Sequence, residues 1–154
     1  MYDEVSDEVP ERAYTVPLGE ASVVMEGVDI TIVALGRMVH FAVAAAKQLA
    51  RDGISCEVID PRTISPLDED TILESVERTG RLIVVDEAYP RCGMAADIAS
   101  IVAEKGFHAL KAPIRKVTPP HTPIPFAPNL EDLYLPSPEK IIMAVREVIA
   151  AVRK

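Results

Sequence analysis

The sequence predicts an α/β domain in which helices cover both faces of a largely parallel sheet. Short apolar runs of strand length alternate along the chain with longer segments of helical periodicity. The run RLIVVDE at 81–87 is almost continuously apolar, as is typical of a strand that is covered on both faces of a parallel sheet. At 154 residues, the chain is long enough for one such layered domain.

The first half of the chain predicts a hairpin followed by a strand, a helix and a second strand. The segments SVVME and DITIVAL flank Gly27 and indicate a short hairpin that leads into a buried strand at 29–35. Gly36 ends that strand, and MVHFAVAAAKQLARDG predicts a helix that ends near Gly53. This helix is apolar almost all round, so most of its faces should be buried. The strand ISCEVID follows at 54–60.

The second half continues the alternation. Either Ser65 or Asp68 could cap a helix that runs to Gly80. After the strand RLIVVDE, the pattern predicts a helix at 93–106 and a strand near 113–117. A closing helix begins at Ser137-Pro138, a favourable pair for the N-cap and first helical positions. Its apolar residues recur at helical spacing: Ile141, Ile142, Val145, Val148, Ile149 and Val152.

Residues 118–138, here called the strap, contain seven of the thirteen prolines. Because proline fixes φ and donates no N–H, this density argues against helix and strand interiors. The strap is nevertheless too apolar for a solvated linker, so we expect an ordered, extended segment. It would pack across the core of its own domain, or form a wall at a subunit interface or ligand channel. Its apolar residues are Ile124, Phe126, Leu130, Leu133, Tyr134 and Leu135.

Charge and composition narrow the class of protein. The net charge is −8 and no basic patch is present, which argues against a nucleic-acid partner. Residues 1–20 hold six acids against one arginine, so we expect an acidic linker there and a folded domain over 21–154. Two cysteines without disulfide or metal spacing indicate a reducing compartment. No apolar stretch is long enough to span a membrane, so the sequence predicts a soluble, cytoplasmic protein.

Candidate ligand-binding residues follow the predicted strands, because open α/β sheets bind ligands outside the carboxyl ends of their strands. Asp86 and Glu87 form a carboxylate pair at one such end, and Arg37 follows another. These three residues are candidates for a ligand or for a charged partner. The carboxylates could equally cap the next helix or pair with Arg62 or Arg91.

His121 lies in a rigid Pro-Pro-His-Thr-Pro frame that would hold an imidazole in place, as a general acid–base group or substrate contact requires. It could also be simply exposed. His40 and His108 have no metal-ligand partner at a useful spacing, so no metal site is predicted. The chain has no G-x-G-x-x-G, P-loop or G-x-S-x-G motif and no clear nucleophile–base pair. We therefore expect no catalytic residue, and a chain that is inactive alone.

Four stretches carry a family resemblance: EVPERAYTVPLGEA, DITIVALGRMVHFAVAAA, EVIDPRTISPLDEDTILESVERTGRLIVVDEA and TPIPFAPNLEDLYLPSPEKI. Together they resemble the C-terminal domain of the beta subunit of thiamine-diphosphate-dependent 2-oxoacid dehydrogenases, in the transketolase C-terminal-domain family. The resemblance covers the chain from about Val9 onward. It is most specific at 60–68 and 122–132, and the PPHTP form of the strap is most similar to the acetoin dehydrogenase type.

The resemblance implies a three-layer α/β/α domain with a mixed, mostly parallel five-stranded sheet. It also implies an assembly and docking role without catalytic residues. Thiamine diphosphate and magnesium would be held by other parts of the full enzyme and not by this domain alone. The implied partners are the N-terminal domain of the beta subunit, a second beta subunit, the alpha subunit and the dihydrolipoyl acyltransferase core of a multienzyme complex. Residues 1–20 would then be an interdomain linker, and the N-terminal half of a complete subunit would be missing.

Within this family, His121 and Phe126 are the candidates for contact with the substrate channel. Lys111, Arg115 and Lys116 are candidates for docking an acidic partner surface. Two alternatives stay open: the C-terminal domain of another thiamine enzyme, of the transketolase or deoxyxylulose-phosphate synthase type, and a free-standing α/β domain that binds a small ligand. The sequence does not choose between acetoin, pyruvate and branched-chain substrates.

Overall fold

The computed structural model describes residues 11–151, which form a five-stranded sheet and its surrounding helices. The elements follow one another in this order: β1 (Ser22–Met25), β2 (Ile30–Ala34), α1 (Met38–Arg51), β3 (Cys56–Asp60), α2 (Glu69–Thr79), β4 (Leu82–Val85), α3 (Met94–Lys105), a 3₁₀ turn (Phe107–Ala109), β5 (Arg115–Val117), α4 (Pro128–Tyr134) and α5 (Pro138–Ala151). The predicted alternation of strands and helices is confirmed. Val152, the last position of the closing helix pattern, lies outside the described residues.

The strand order is β1-β3-β2-β4-β5, with β1 antiparallel to its neighbour and the remaining pairs parallel. Successive side chains of a strand point to opposite faces, and β2 shows the consequence. Ile30 and Ile32 pack in a core with α1 and α5, whereas Val33 packs in a second core with α2 and α3. The sheet is thus the middle of three layers, as predicted.

The predicted hairpin is wrong, because β1 pairs with β3 and not with β2. The chain passes the beginning of β3 on its way from β1 to β2, and Gly27 makes the close approach there. A Cβ on Gly27 would lie 2.2 Å from the carbonyl carbon of Cys56 and 2.3 Å from the amide nitrogen of Glu57. The two adjacent apolar runs correctly indicated two strands. The partner of β1 depends on the place where Gly27 passes the main chain of β3, which the runs themselves do not show.

Two further expectations need correction. The strap contains the helix α4, because Pro128 occupies a first-turn position, where a missing N–H costs nothing, and no proline follows before Pro136. Helix α1 is also less enclosed than predicted, since His40 and Ala44 are exposed. No helix within residues 11–151 is long and apolar enough to cross a membrane.

Asp68, and not Ser65, caps α2. Its carboxylate accepts hydrogen bonds from the amide of Thr71 at 3.1 Å and from the amide of Ala21 at 2.8 Å, which ties the approach to β1 to the start of the helix. The amide of Gly19 likewise donates to Thr63 at 2.9 Å. Residues 1–10 of the expected linker lie outside the described part, so a domain boundary after residue 20 stays a prediction.

Replacing Asp68 with alanine should lower the free energy of unfolding by about 1 kcal/mol at neutral pH, the usual contribution of an N-cap. Partial burial opposes the charged form, but the hydrogen bonds from Ala21 and Thr71 outweigh it and lower the pKa of Asp68. A lowered folded-state pKa gives stability that is complete above the unfolded value of about 3.9 and is lost as the pH falls through the folded value.

Urea unfolding of wild type and D68A at pH 7 and in strong acid measures this effect. The difference between the two proteins should be present at pH 7 and shrink in acid. D70A is the matched control, because Asp70 lies in the same helical turn and is exposed. A difference that persists unchanged in acid would contradict the assignment of the cap.

Buried hydroxyl groups join β2 to α2. Thr31 Oγ1 lies 2.6 Å from Ser75 Oγ and 2.8 Å from Thr79 Oγ1, and all three residues are fully enclosed. Because buried polar groups are costly unless they are hydrogen-bonded, this trio favours one placement of α2 along the sheet.

Candidate partner site at the carboxyl edge of the sheet

An open cavity of about 790 Å³ lies at the carboxyl edge of the sheet. Its walls include Leu35 after β2 and Asp86, Cys92 and Met94 after β4. The chain leaves β2 for α1 on one face and β4 for α3 on the other, so the two loops diverge there. Such a divergence between adjacent parallel strands is where open α/β sheets form binding crevices.

Two loops at this edge hold a residue other than glycine with positive φ. Arg62 after β3 has φ of 58° and Cys92 after β4 has φ of 57°. This left-handed conformation is uncommon for residues with a side chain. Cys92 is exposed at the cavity, whereas Cys56 is buried. Burial, together with the nearby charge of Asp29, raises the pKa of the Cys56 thiol to about 12.

Asp86 and Glu87 have different environments. Asp86 is buried, and its carboxylate accepts hydrogen bonds from the amide of Ala88 at 2.9 Å and from the amide of Ala95 at 3.4 Å. Since Ala95 lies in the first turn of α3, Asp86 caps that helix, one of the two roles that the sequence left open. Glu87 is exposed and is the outward-facing carboxylate of the pair.

Arg37 contacts an aromatic ring of its own helix. Its guanidinium carbon lies 5.1 Å from the centre of the Phe41 ring, one turn further along α1, in a cation–π contact. Arg37 is also not among the residues that line the cavity. Of the three strand-end candidates, Asp86 is the one among the residues that line the cavity.

His121 is exposed at the apex of a tight turn in the strap. The amide of Thr122 donates to the carbonyl of Pro120 at 2.8 Å. The hydroxyl of Tyr134 lies 2.8 Å from the carbonyl oxygen of Thr122 and 3.1 Å from that of Pro120. The ring of Tyr89 contacts His121 edge-on, with 5.4 Å between the ring centres. Burial, with a contribution from the neighbouring Tyr89, raises the pKa of Tyr134.

Sequence reasoning found His121 through its proline frame but gave no role to Tyr89 and counted Tyr134 only as an apolar strap residue. No sequence motif marks them, because the acceptors of the Tyr134 hydroxyl are main-chain carbonyls 12 and 14 residues away. Tyr89, His121 and Tyr134 are referred to below as the aromatic cluster.

Most of the strap's apolar side chains face solvent. Tyr134 is 8% exposed and attaches the strap to the domain, whereas Phe126 is fully exposed. The strap therefore does not use these groups to cover its own core, and the expectation of an interface or channel wall gains support. The outward-facing set, here called the strap surface, consists of Ile124, Phe126, Leu130 and Leu133.

The three basic candidates for docking do not form one patch. Arg115 pairs with Glu147 of α5 at 2.6 Å. Lys116, the next residue on β5, donates to the carbonyl of Pro90 at 2.8 Å, at the loop that follows β4. The side chain of Lys111 lies against Gly80. Successive residues of a strand point to opposite faces, so Arg115 and Lys116 direct their side chains to different faces of the sheet.

The groups available for binding are the imidazole of His121 and the apolar strap surface. Within the described part of the chain, no three residues among His, Cys, Asp and Glu lie close enough together to hold a metal ion. Asp86 already accepts bonds from main-chain amides. The arrangement is suited to contact with another molecule, and His121 is the exposed imidazole of the aromatic cluster.

Residues 19–141 match the family model described as "Transketolase, C-terminal domain". The chain is 56% identical over 142 residues to the acetoin:2,6-dichlorophenolindophenol oxidoreductase subunit beta of Bacillus subtilis, covering 92% of this chain and 42% of that protein. It is 44% identical over 149 residues to the pyruvate dehydrogenase E1 component subunit beta of the same organism, covering 97% and 46%. The chain thus spans less than half the length of these curated relatives.

Among solved structures, the chain is similar to a split gene transketolase described as an inactive beta4 tetramer. The TM-score is 0.79 at 28% sequence identity, over 96% of this chain and 47% of that one.

Proposed function

This chain belongs to the transketolase C-terminal domain family, and we propose that it serves as the assembly and docking domain of the beta subunit of a thiamine-diphosphate-dependent dehydrogenase of the acetoin type. In this role it carries no catalytic residue of its own. It pairs with a second beta subunit and supports docking of the acyltransferase core. The N-terminal domain of the beta subunit and the alpha subunit complete the enzyme.

The strap surface is the observation that carries this proposal. Four exposed apolar side chains within ten residues of one ordered, anchored segment are typical of an interaction site. His121 lies on the same strap, so a partner that covers the strap surface also approaches the imidazole. This supports His121 and Phe126 as contacts at a substrate channel formed between subunits.

The acetoin type is favoured by the ranking of the relatives. Identity is 56% to the acetoin-linked beta subunit and 44% to the pyruvate dehydrogenase beta subunit. The transketolase relative is described as a tetramer, which supports pairing between beta subunits.

The described residues do not fit thiamine diphosphate and magnesium. Helix N-termini at strand ends are favourable places for a diphosphate, but the first turn of α3 already faces the carboxylate of Asp86. The described part of the chain also contains no cluster of metal-ligating side chains. Binding of the cofactor by other parts of the full enzyme is part of the proposal.

The alternatives have less support. A transketolase-type enzyme is disfavoured by the lower identity, 28%, to the split gene transketolase. A free-standing ligand-binding domain would use the cavity at the carboxyl edge, but Asp86 already accepts a main-chain hydrogen bond and Arg37 is not among the residues that line the cavity. For docking of the acyltransferase, Lys111, Arg115 and Lys116 remain proposals, and their separation suggests that they do not act as one site.

The strap surface can be tested with the double variant F126S/L133S. The wild-type chain is combined with the complementary part of a beta subunit and an alpha subunit of the acetoin type. Association is measured by light scattering, and activity is measured as acetoin-dependent reduction of dichlorophenolindophenol. The variant should weaken association at least about tenfold, because exposed aromatic residues dominate interface energetics, while its thermal midpoint stays within about 2 °C of wild type.

F107S is the matched control, because Phe107 is also a largely exposed phenylalanine but lies on the 3₁₀ turn. It should associate as wild type does. The chain alone should give no dye reduction. Full association and activity of F126S/L133S would refute the strap surface as an interface.

A further inference from the structure

The carbonyl groups on either side of His121 are held by one phenol. Tyr134 Oη is within hydrogen-bond distance of the carbonyl oxygens of Thr122 and Pro120, at 2.8 Å and 3.1 Å. The intervening residue is His121, which makes no such bond through its own main chain. The phenol thus lies between the carbonyls of the residues before and after His121 and restrains the turn that carries the imidazole.

Tyr134 is fixed in the same manner by the helix that follows. Lys140 Nζ donates to the carbonyl of Leu133 at 2.7 Å and to that of Leu135 at 2.6 Å, the residues on either side of Tyr134. Lys140 lies in the first turn of α5, and its side chain satisfies carbonyls at the C-terminal end of α4, as lysines near helix C-termini commonly do. Because α5 is packed against the sheet through its buried face, this lysine connects the strap to the rigid core.

The ring of His121 is braced from a second direction. Tyr89 contacts it edge-on, and the residues beside Tyr89 are also held. The amide of Ala88 donates to Asp86 at 2.9 Å, and the carbonyl of Pro90 accepts from Lys116 at 2.8 Å. The backbone and the ring of the histidine are thus constrained by two separate loops, although the histidine itself is exposed.

We propose that Tyr134 is a positioning residue whose hydroxyl fixes the backbone of His121, while Tyr89 fixes its ring, so that the imidazole is presented in one orientation to a bound molecule. The importance of this orientation rests on the proposed role of His121 at the substrate channel. The positioning itself is a property of this chain and can be measured without any partner. Preorganisation of a contact group by supporting residues is the general requirement for a precise site.

Relaxation of isotope-labelled chain by NMR tests the positioning. In Y134F the hydroxyl is removed and the buried ring is kept. The backbone order parameter of His121 should fall from about 0.85, the value of a rigid backbone, to below about 0.6. His40 and His108, which lie on other elements, should not change. Y14F is the matched control, because Tyr14 is exposed in the N-terminal segment.

Two further variants keep the test decisive if Y134F is poorly folded. K140M should loosen His121 as Y134F does, because it releases the carbonyls on both sides of Tyr134. Y89L should leave the backbone order parameter of His121 unchanged and increase the mobility of the imidazole ring alone. A rigid His121 backbone in both Y134F and K140M would overturn the proposal and leave Tyr134 as an anchor of the strap only.

The functional readout separates this proposal from the proposed function. In the assembled enzyme, Y134F should lower kcat/KM for acetoin about tenfold, and it should cause no further loss when it is added to H121A. If H121A itself retains full activity while Y134F loosens the histidine, the channel role of His121 fails and the positioning stands. If H121A loses activity but Y134F adds an independent loss of its own, the positioning is refuted.

Discussion

Replacing Gly27 with alanine is expected to destabilise the chain by at least about 3 kcal/mol, a large part of the stability of a typical domain. The added Cβ would lie 2.2 Å from the Cys56 carbonyl carbon, 2.3 Å from the Glu57 nitrogen and 2.5 Å from the Cys56 oxygen. All three atoms belong to the main chain at the start of β3, so no side chain can rotate away. Relief requires that β1 or β3 shift, and β1 loses its pairing first.

Denaturant unfolding measures this loss, and Gly53 supplies the control. Gly53 has φ of 78° and nothing within 4 Å of its added Cβ, so G53A introduces left-handed strain without overlap. It should cost about 1–2 kcal/mol. G27A introduces overlap at a conformation that is not left-handed. If the G27A chain were as stable as G53A, the main chains of residue 27 and β3 would be able to move apart at little cost. The close approach would then not be the reason for glycine at this position.

Replacing Asp86 with alanine should lower the free energy of unfolding by about 2–4 kcal/mol. Hydrogen bonds to a charged acceptor contribute about 1.5–3 kcal/mol each, and a buried donor left without a partner adds a penalty. D86A removes the acceptor of two amides, Ala88 and Ala95, at 2.9 Å and 3.4 Å. The first turn of α3 and the loop that carries Tyr89 should both loosen.

Chemical unfolding and hydrogen exchange measure the two effects. The midpoint should fall in D86A, and the amides of Ala88 and Ala95 should exchange faster. E87A is the matched control, because the adjacent carboxylate is exposed, and it should change stability by no more than about 0.5 kcal/mol. D86N, which keeps one acceptor oxygen, should lie between the two. Equal effects in D86A and E87A would contradict the capping role of Asp86.

The local elements of the fold were predictable because each has a signal within its own residues. Examples are the helical spacing of α5 and the apolar runs of β2, β3 and β4. The pairing of β1 has no such signal, since its partner β3 begins about thirty residues later and the intervening contact is main chain against main chain. The helix α4 was missed because proline density was averaged over the strap, whereas a helix tolerates Pro128 in its first turn.

The candidate site was predictable only in part. His121 and Phe126 were found because proline restricts the chain around them and because the strap is too apolar for a solvated linker. The environments of Asp86 and Glu87 could not be separated by sequence, since burial of one and exposure of the other depend on how the loop after β4 turns. Tyr134 acts through main-chain carbonyls, which have no side-chain identity for a sequence pattern to show.

The strap has one more consequence, for the thermodynamics of assembly. Its seven prolines restrict the unfolded chain as well as the folded one, and Lys140 and Tyr134 already hold it before any partner arrives. Conformational entropy is therefore lost when the domain folds and not when the subunits meet. Association through this segment would be rigid docking of preformed surfaces, without a coupled disorder-to-order transition.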